Sequence, residues 1–508
     1  MRADYFQRYA GFLSGGLAKL QREGALFLNA HHLHANTETA PGHATLSAGA
    51  HPARHGIIGN YWFDAASGKR IYSVADSQVK IFDSSALGGS SPHHLMSRGL
   101  GDWLKAEHPK AKVVSISRKD RSAILLGGQK PDAAYWYNTR NGGFTSSSHY
   151  FNELPDWVKA WNERRDADKF FGKTWQKSRP EEEYFASRED LFDGEADGPH
   201  STFPHAYAPS EPNPGDGFYG WLPATPFCDE LTLAFATAAL RAEQLGADDI
   251  TDLLCISLSS TDAVGHNYGP LSQEMQDNIM RLDDALGEFF LQVDSLLGLE
   301  NCLISLSSDH GVLPLPEELR RRGFETARIR EQEYKDELTG VLTELAQELG
   351  ADRQLFKHAA EDLYVNYASA DSLGLDHENF RLLIAKKIRT MSFVADAMTA
   401  AELAGDGPSA HEFAERFRNS YYPGRSADVL IRYKPFFLIS ARETGTNHGS
   451  VYDYDSRVPM VFWGGNVLAG HYSTPCATVD FAPTMARLIG IAVPQDIDGK
   501  ALAAIVQN

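Results

Sequence analysis

Thr37-Glu38-Thr39-Ala40-Pro41-Gly42-His43-Ala44-Thr45-Leu46-Ser47-Ala48-Gly49 is the stretch on which the reading of this chain turns. Pro41 suits the first position of a helix, because the N–H it lacks would have had no partner there. Thr39 then falls in the capping region just ahead of that helix. The free N–H groups and positive dipole end of the helix face whatever sits beside Thr39. Such a place receives anions and lowers the cost of a threonine alkoxide. Gly42 lets a bulky neighbour approach the backbone. An ordinary capped helix meets the same description, so the stretch gains meaning only from the chain around it.

Working outward, residues 4–22 carry Phe6, Leu13, Leu17 and Leu20 at roughly helical spacing, closed by Gly24. A short apolar stretch, Ala25–Leu28, leads into the threonine turn, and a glycine-punctuated loop, 55–62, follows it. Residues 94–106 read as a helix. Ala111–Ser117 is a β-branched run and a buried strand, followed at once by Arg118, Lys119 and Arg121. Asp252–Leu258 is a second such strand and ends near Asp262 and His266. Ser272 caps a long helix with Met275, Ile279, Leu282, Leu286, Phe290 and Val293 on one stripe. Cys302–Leu306 is a third strand, ending in Asp309-His310. A fourth, Val458–Trp463, follows Asn447-His448-Gly449, and Asp480 opens the last clear helix.

Strands alternating with long helices specify an α/β fold with a mostly parallel central sheet sandwiched by helices. Two segments depart from that rhythm. Residues 139–230 are aromatic, polar and aperiodic, an irregular insertion; residues 316–440 form a mixed insertion with amphipathic helices near 338–349 and 378–390. Residues 441–508 return to the core.

Length alone would divide 508 residues among two to four domains. The 43% apolar content supports a large core, and no apolar run reaches the 18 residues of a membrane span. A net charge of -19 argues against a nucleic-acid polymer as partner. Four scattered cysteines (Cys228, Cys255, Cys302, Cys476) provide neither a disulfide scaffold nor a cysteine zinc site. Met1–Phe6 has no signal-peptide pattern.

Asp262/His266, Asp309/His310 and Lys119/Arg121 each lie just past a buried run, and ligands of open α/β sheets bind at such strand ends. Asp and neutral His are good zinc ligands. Two zinc ions a few ångströms apart suit phosphoryl transfer.

These residues resemble the alkaline phosphatase superfamily, most closely the phosphate-irrepressible alkaline phosphatases, monoesterases with a threonine nucleophile. The resemblance implies that Thr39 in Thr-Ala-Pro-Gly-His is the nucleophile. It implies one Zn²⁺ on Asp262, His266 and His448, and a second on Asp309, His310 and Thr39. Asn60, Lys119 and Arg121 match the phosphate-binding side chains. Small phosphorylated metabolites are the expected partners, and a periplasmic or secreted location the expected address. The family also places a metal-binding Asp at the end of a first core strand, ahead of a segment like Met1–Tyr5. That strand and its Asp are expected to be missing here, leaving the second zinc one ligand short. A phosphodiesterase/nucleotide pyrophosphatase with the same metals, and an inactive phosphate-binding relative, are the alternatives.

Overall fold

Helices flank two half-sheets that lie edge to edge. The computed structural model describes residues 1–83, 88–195, 201–208, 212–351, 354–359, 363–404 and 409–506. In chain order the core elements are α1 (Tyr5–Arg8), α2 (Gly16–Glu23), β1 (Ala25–His31), α3 (Thr39–Ala48), α4 (Leu100–Glu107), β2 (Val113–Ser117), α5 (Asp120–Gly127), β3 (Ala133–Tyr137), β4 (Phe144–Thr145), α6 (Phe227–Ala242), β5 (Leu253–Ser257), α7 (Ser260–Tyr268), α8 (Gln273–Leu297), β6 (Ile304–Leu306), β7 (Arg457–Trp463), β8 (Gly470–Tyr472) and α9 (Phe481–Leu488).

One half-sheet has the order β6-β7-β1-β8 and the other β5-β2-β3-β4. In the second, β5, β2 and β3 run parallel and β4 turns back. In the first, β8 is parallel to β1, and β7 is antiparallel to both β1 and β6. The α/β architecture is as expected; the reversal of β7 is added by the structure. Its buried run, Val458-Pro459-Met460-Val461-Phe462, carries no directional signal in hydropathy.

Both half-sheets share one layer. Leu254 and Ile256 of β5, and Ile304 and Leu306 of β6, pack into the large core with Leu17, Phe235, Ile279 and Phe290 from α2, α6 and α8. Leu253 and Leu303 pack on the other side, with Trp103 of α4 and Met485 of α9. Strands β2 and β3 are buried along their whole length, whereas β5 and β6, which bound the space between the half-sheets, are only half-buried.

Local chemistry moves several boundaries. The helical pattern over 4–22 is two helices with a 3-10 turn at Ala10–Phe12 between them. It breaks at Ser14-Gly15 because their N–H groups, and that of Ala18, donate to the Asp283 carboxylate of α8 at 2.7, 2.6 and 2.9 Å. The helix expected from residue 94 begins at Leu100, where Gly99 N–H donates to Asp102 Oδ2 at 2.7 Å. Helix α3 begins at Thr39 itself, with Glu38 in the cap position. Pro41 is therefore the third helical residue, still within the turn whose N–H groups lack helical acceptors. Ser272 caps α8 as expected, its Oγ accepting from Met275 N–H at 3.0 Å.

Residues 139–230 pack into the main core through Phe218, Tyr219 and Leu222; α6 begins at Phe227, inside that range. Within 316–440, helices Glu331–Leu349 and His377–Ile388 cover a four-stranded sheet made of Phe356–Ala359, Leu363–Val365, Val429–Tyr433 and Val394–Thr399. That unit has its own core around Leu338, Leu342, Phe380, Ile384 and Val429. A hairpin of Tyr61–Asp64 and Lys69–Tyr72 follows α3. Its Phe63 stacks on His358 of the outer unit, ring centroids 4.6 Å apart.

Candidate active site

Thr39, buried at the N-terminus of α3, meets the ends of β2, β5 and β6. Lys119, past β2, donates from Nζ to Thr39 Oγ1 at 3.3 Å and to Asp262 Oδ2 at 2.6 Å. Asn60 Oδ1 accepts from Ala40 N–H at 2.9 Å, which leaves the amide nitrogen of its side chain as a donor. Arg121 lies in the first turn of α5 and donates from Nη1 to the Tyr72 hydroxyl at 3.4 Å; its Nε is buried without a partner. Tyr72 in turn donates to Asp120 Oδ1 at 2.5 Å.

The histidines are oriented for a cation. His266, His448 and His310 each direct Nδ1 at a backbone carbonyl: Thr446 at 2.9 Å, Thr37 at 2.8 Å and Gly311 at 2.8 Å. A neutral ring with its proton on Nδ1 has the Nε2 lone pair free for a cation; burial disfavours the charged form of His310, yet Asp309 and Asp262 raise it above the ordinary histidine value. These Nε2 atoms lie 3.3, 3.6 and 3.8 Å from Asp262 Oδ1 for His266, His448 and His310. The ligand atoms of Asp262, His310 and His448 all lie within 4.8 Å of one another. His310 Nε2 is buried without a hydrogen bond and stands 3.3 Å from Asp309 Oδ2. The two ligand groups expected from the chain thus form one continuous cluster, with His310 between them. Buried imidazole nitrogens and carboxylates converging on one place, with Lys119 on Asp262 and Ser308 on Asp309 as side-chain donors, fit divalent metal.

Charge follows the same logic. Burial opposes ionisation of Asp262, yet Lys119 and the neighbouring histidines hold it well below the usual carboxylate range. Asp309 behaves likewise, burial being outweighed by His310 and His43. Burial pulls His448 well below the ordinary histidine range, which favours its neutral imidazole. Burial also lowers Lys119, against the attraction of Asp262.

Four residues join the site that motif reading passed over. Glu38 Oε2 accepts from Asn60 N–H at 2.6 Å and fixes that residue's backbone. His43 bridges Thr39 O and Ser257 Oγ, both at 2.8 Å, and lies 3.4 Å from Asp309 Oδ2. It stands in the quoted stretch, so its position was available as a signal. Tyr72 reaches Arg121 through space and left no local signal, whereas Asp120 stands directly before Arg121 and accepts from its N–H at 2.7 Å. Gly42 is required by a close approach: a Cβ there would meet Asp309 O at 2.2 Å.

A threonine hydroxyl at a helix N-terminus, with cations beside it and a cluster of carboxylates and imidazoles against it, is an arrangement able to serve phosphoryl chemistry. Comparison with known proteins points the same way. The sequence model of the type I phosphodiesterase / nucleotide pyrophosphatase family matches residues 1–450. Alkaline phosphatase PafA of Elizabethkingia meningoseptica is 31% identical over 513 residues, covering 100% of this chain and 92% of its own. Alkaline phosphatase PhoV of Synechococcus elongatus is 34% identical, covering 100% and 91%. The crystal structure of wild-type PafA superposes with a TM-score of 0.89 at 30% identity over 100% of this chain and 97% of that one. A solved variant of PafA, changed at one threonine, one asparagine, one lysine and one arginine, superposes equally well. On sequence and fold together, the chain belongs to the type I phosphodiesterase / nucleotide pyrophosphatase family of the alkaline phosphatase superfamily, and it is a phosphatase.

Proposed function

We propose that the chain hydrolyses phosphate monoesters of small metabolites, with Thr39 as nucleophile. The observation that carries this reading is the contact of Lys119 Nζ with Thr39 Oγ1 at 3.3 Å, at the N-terminus of α3. The four residue types altered in the PafA variant, threonine, asparagine, lysine and arginine, occur here in the same order as Thr39, Asn60, Lys119 and Arg121.

Thr39 Oγ1 attacks phosphorus and the bond from phosphorus to the ester oxygen breaks, leaving a phosphothreonine and the alcohol. Water then cleaves the phosphothreonine, regenerating the hydroxyl and releasing phosphate. Lys119, Arg121, the Asn60 amide and the free N–H groups of α3 hold the non-bridging oxygens. Asp262, His266 and His448 would hold one Zn²⁺, and Asp309 and His310, with the Thr39 oxygen, a second. When bound, zinc supplies Lewis acidity, which favours the threonine alkoxide and offsets charge on the leaving oxygen. The family also contains phosphodiesterases; the cations Lys119 and Arg121 favour a dianionic monoester over a diester, which carries an organic group in place of one charged oxygen.

Thr39→Ala should abolish steady-state turnover of an aryl phosphate while the metal expected on Asp262, His266 and His448 stays bound, because the nucleophile is not among those ligands. Acid trapping of phosphoprotein followed by peptide mapping tests the assignment directly. Label on any residue other than Thr39 would refute it.

A further inference from the structure

The hairpin of Tyr61–Asp64 and Lys69–Tyr72 leads away from Asn60. Tyr61 and Tyr72 are its first cross-strand pair, and Phe63 opposes Arg70 and Asp64 opposes Lys69 farther out. Directly opposed residues share a face, and successive residues alternate between faces. Tyr61, Tyr72, Phe63 and Arg70 therefore occupy one face, and Lys69 the other. Two contacts orient the first face. The Tyr72 hydroxyl accepts from Arg121 Nη1 at 3.4 Å, and Phe63 stacks on His358 of the outer unit. The face thus begins at the active site and ends at the outer unit.

Along this face the side chains stand in series. The Tyr61 and Tyr72 ring centroids are 4.9 Å apart, and the Arg70 guanidinium lies 4.0 Å over the Tyr61 ring. Tyr61 is 46% exposed, and Arg70 is exposed with it. Other surface arginines of this acidic chain, Arg54, Arg164, Arg165 and Arg321, each face a carboxylate. Among the described residues, Arg70 pairs with none. A guanidinium held by a ring instead of a carboxylate keeps its five N–H donors for another acceptor. Burial lowers His358 and the charge of Arg70 lowers it further, which leaves Arg70 as the cation at this end of the face.

We propose that Arg70, mounted on Tyr61, is a specificity-determining residue that receives a second anionic group on the alcohol part of the substrate. The ester phosphate lies meanwhile among Asn60, Lys119 and Arg121, so the inference rests on the reaction proposed above. The favoured substrates are phosphate monoesters whose alcohol carries a further phosphate or carboxylate. A neutral alcohol leaves the Arg70 donors to water and gains nothing from them. An aromatic alcohol gains less than an anionic one, because the Tyr61 ring is already engaged by Arg70 and Tyr72. Arginine suits the task, since its planar fork matches the geometry of both phosphate and carboxylate.

The test uses the purified chain with zinc and ligands that cannot be hydrolysed. Alkane α,ω-bisphosphonates and ω-carboxyalkyl phosphonates of graded length are compared with alkyl monophosphonates of the same length, by calorimetry. At the best length the second anionic group should tighten binding about fivefold, the upper range for an exposed ion pair. Arg70→Ala should remove that gain, and Arg70→Lys should restore part of it. Lys69→Ala, which removes the same charge from the opposite face, should leave it intact. A gain in both series assigns either anion to Arg70; a gain in one series alone narrows the class to that anion. No gain at any length, or equal loss in Arg70→Ala and Lys69→Ala, would overturn the proposal. The corresponding phosphate esters separate it from the reaction on which it rests. Discrimination among the phosphonates with no hydrolysis of any ester would refute the reaction and leave Arg70 as a binding residue. Hydrolysis of the singly and doubly anionic esters at equal kcat/KM would refute the role of Arg70 alone.

Discussion

Lys119 and Arg121 stand two residues apart just after β2, yet they are held differently. Lys119 is anchored by Asp262 at 2.6 Å, whereas Arg121 leans on the Tyr72 hydroxyl, itself bound to Asp120. Replacing either by alanine should cost monoester hydrolysis about one to two powers of ten more than diester hydrolysis. The size follows from charge-assisted contacts of roughly 1.5–3 kcal/mol made to an oxygen that only the monoester leaves charged. The measurement is kcat/KM for an aryl phosphate and a bis-aryl phosphate in each variant, and equal losses on both substrates would remove the case for a monoesterase. The gathering of Lys119, Asp262, His266, Asp309 and His310 at one edge was legible because each follows a buried apolar run, whereas the parts given to Thr39 and His448 came from the family resemblance. The contacts of Glu38 and Asp120 were not legible, although both stand inside the stretches that carry the motifs: Glu38 accepts from Asn60 N–H, 22 residues on, and Asp120 from the Tyr72 hydroxyl, 48 residues back.

The joints between elements are where buried carboxylates do their work. Asp229, fully buried in α6, accepts from the N–H groups of Ser259 and Ser260 at 2.9 and 3.1 Å and so seats the start of α7, which carries Asp262. Burial, opposed by those hydrogen bonds, pushes its carboxyl up to about 6 from 3.8. A carboxyl raised on folding contributes stability that is full below its ordinary value and lost as pH rises through the folded value. The cost of ionising it is therefore incurred between about pH 4 and pH 6, and amounts to about 3 kcal/mol. Asp229→Asn keeps an acceptor for both N–H groups and cannot ionise. Its stability relative to the parent should improve from pH 4 to pH 7.5 by up to that amount, measured as denaturant midpoints; a constant difference across that range would contradict the assignment. The strands and the long helix α8 were legible because their patterns are long and periodic. The direction of β7 and the break at Gly15 were not, since hydropathy has no arrow and the break is made by Asp283 from 268 residues away.

For the molecule as a whole, the unit within 316–440, which has its own core around Leu338, Phe380 and Ile384, bears on the site through the hairpin after α3. The hairpin after α3 has Asn60 at one root and Tyr72 at the other, and its Phe63 rests on His358 and Tyr364. An arm with Asn60 at one root, the Tyr72 support of Arg121 at the other and its flank on a unit with its own core would act as a lever: a motion of that unit would loosen the grip proposed for phosphate and tie release of product to an event far from the threonine. Phe63→Ala should then weaken inhibition by inorganic phosphate several-fold while phosphothreonine still forms. An unchanged inhibition constant would leave the lever without a load.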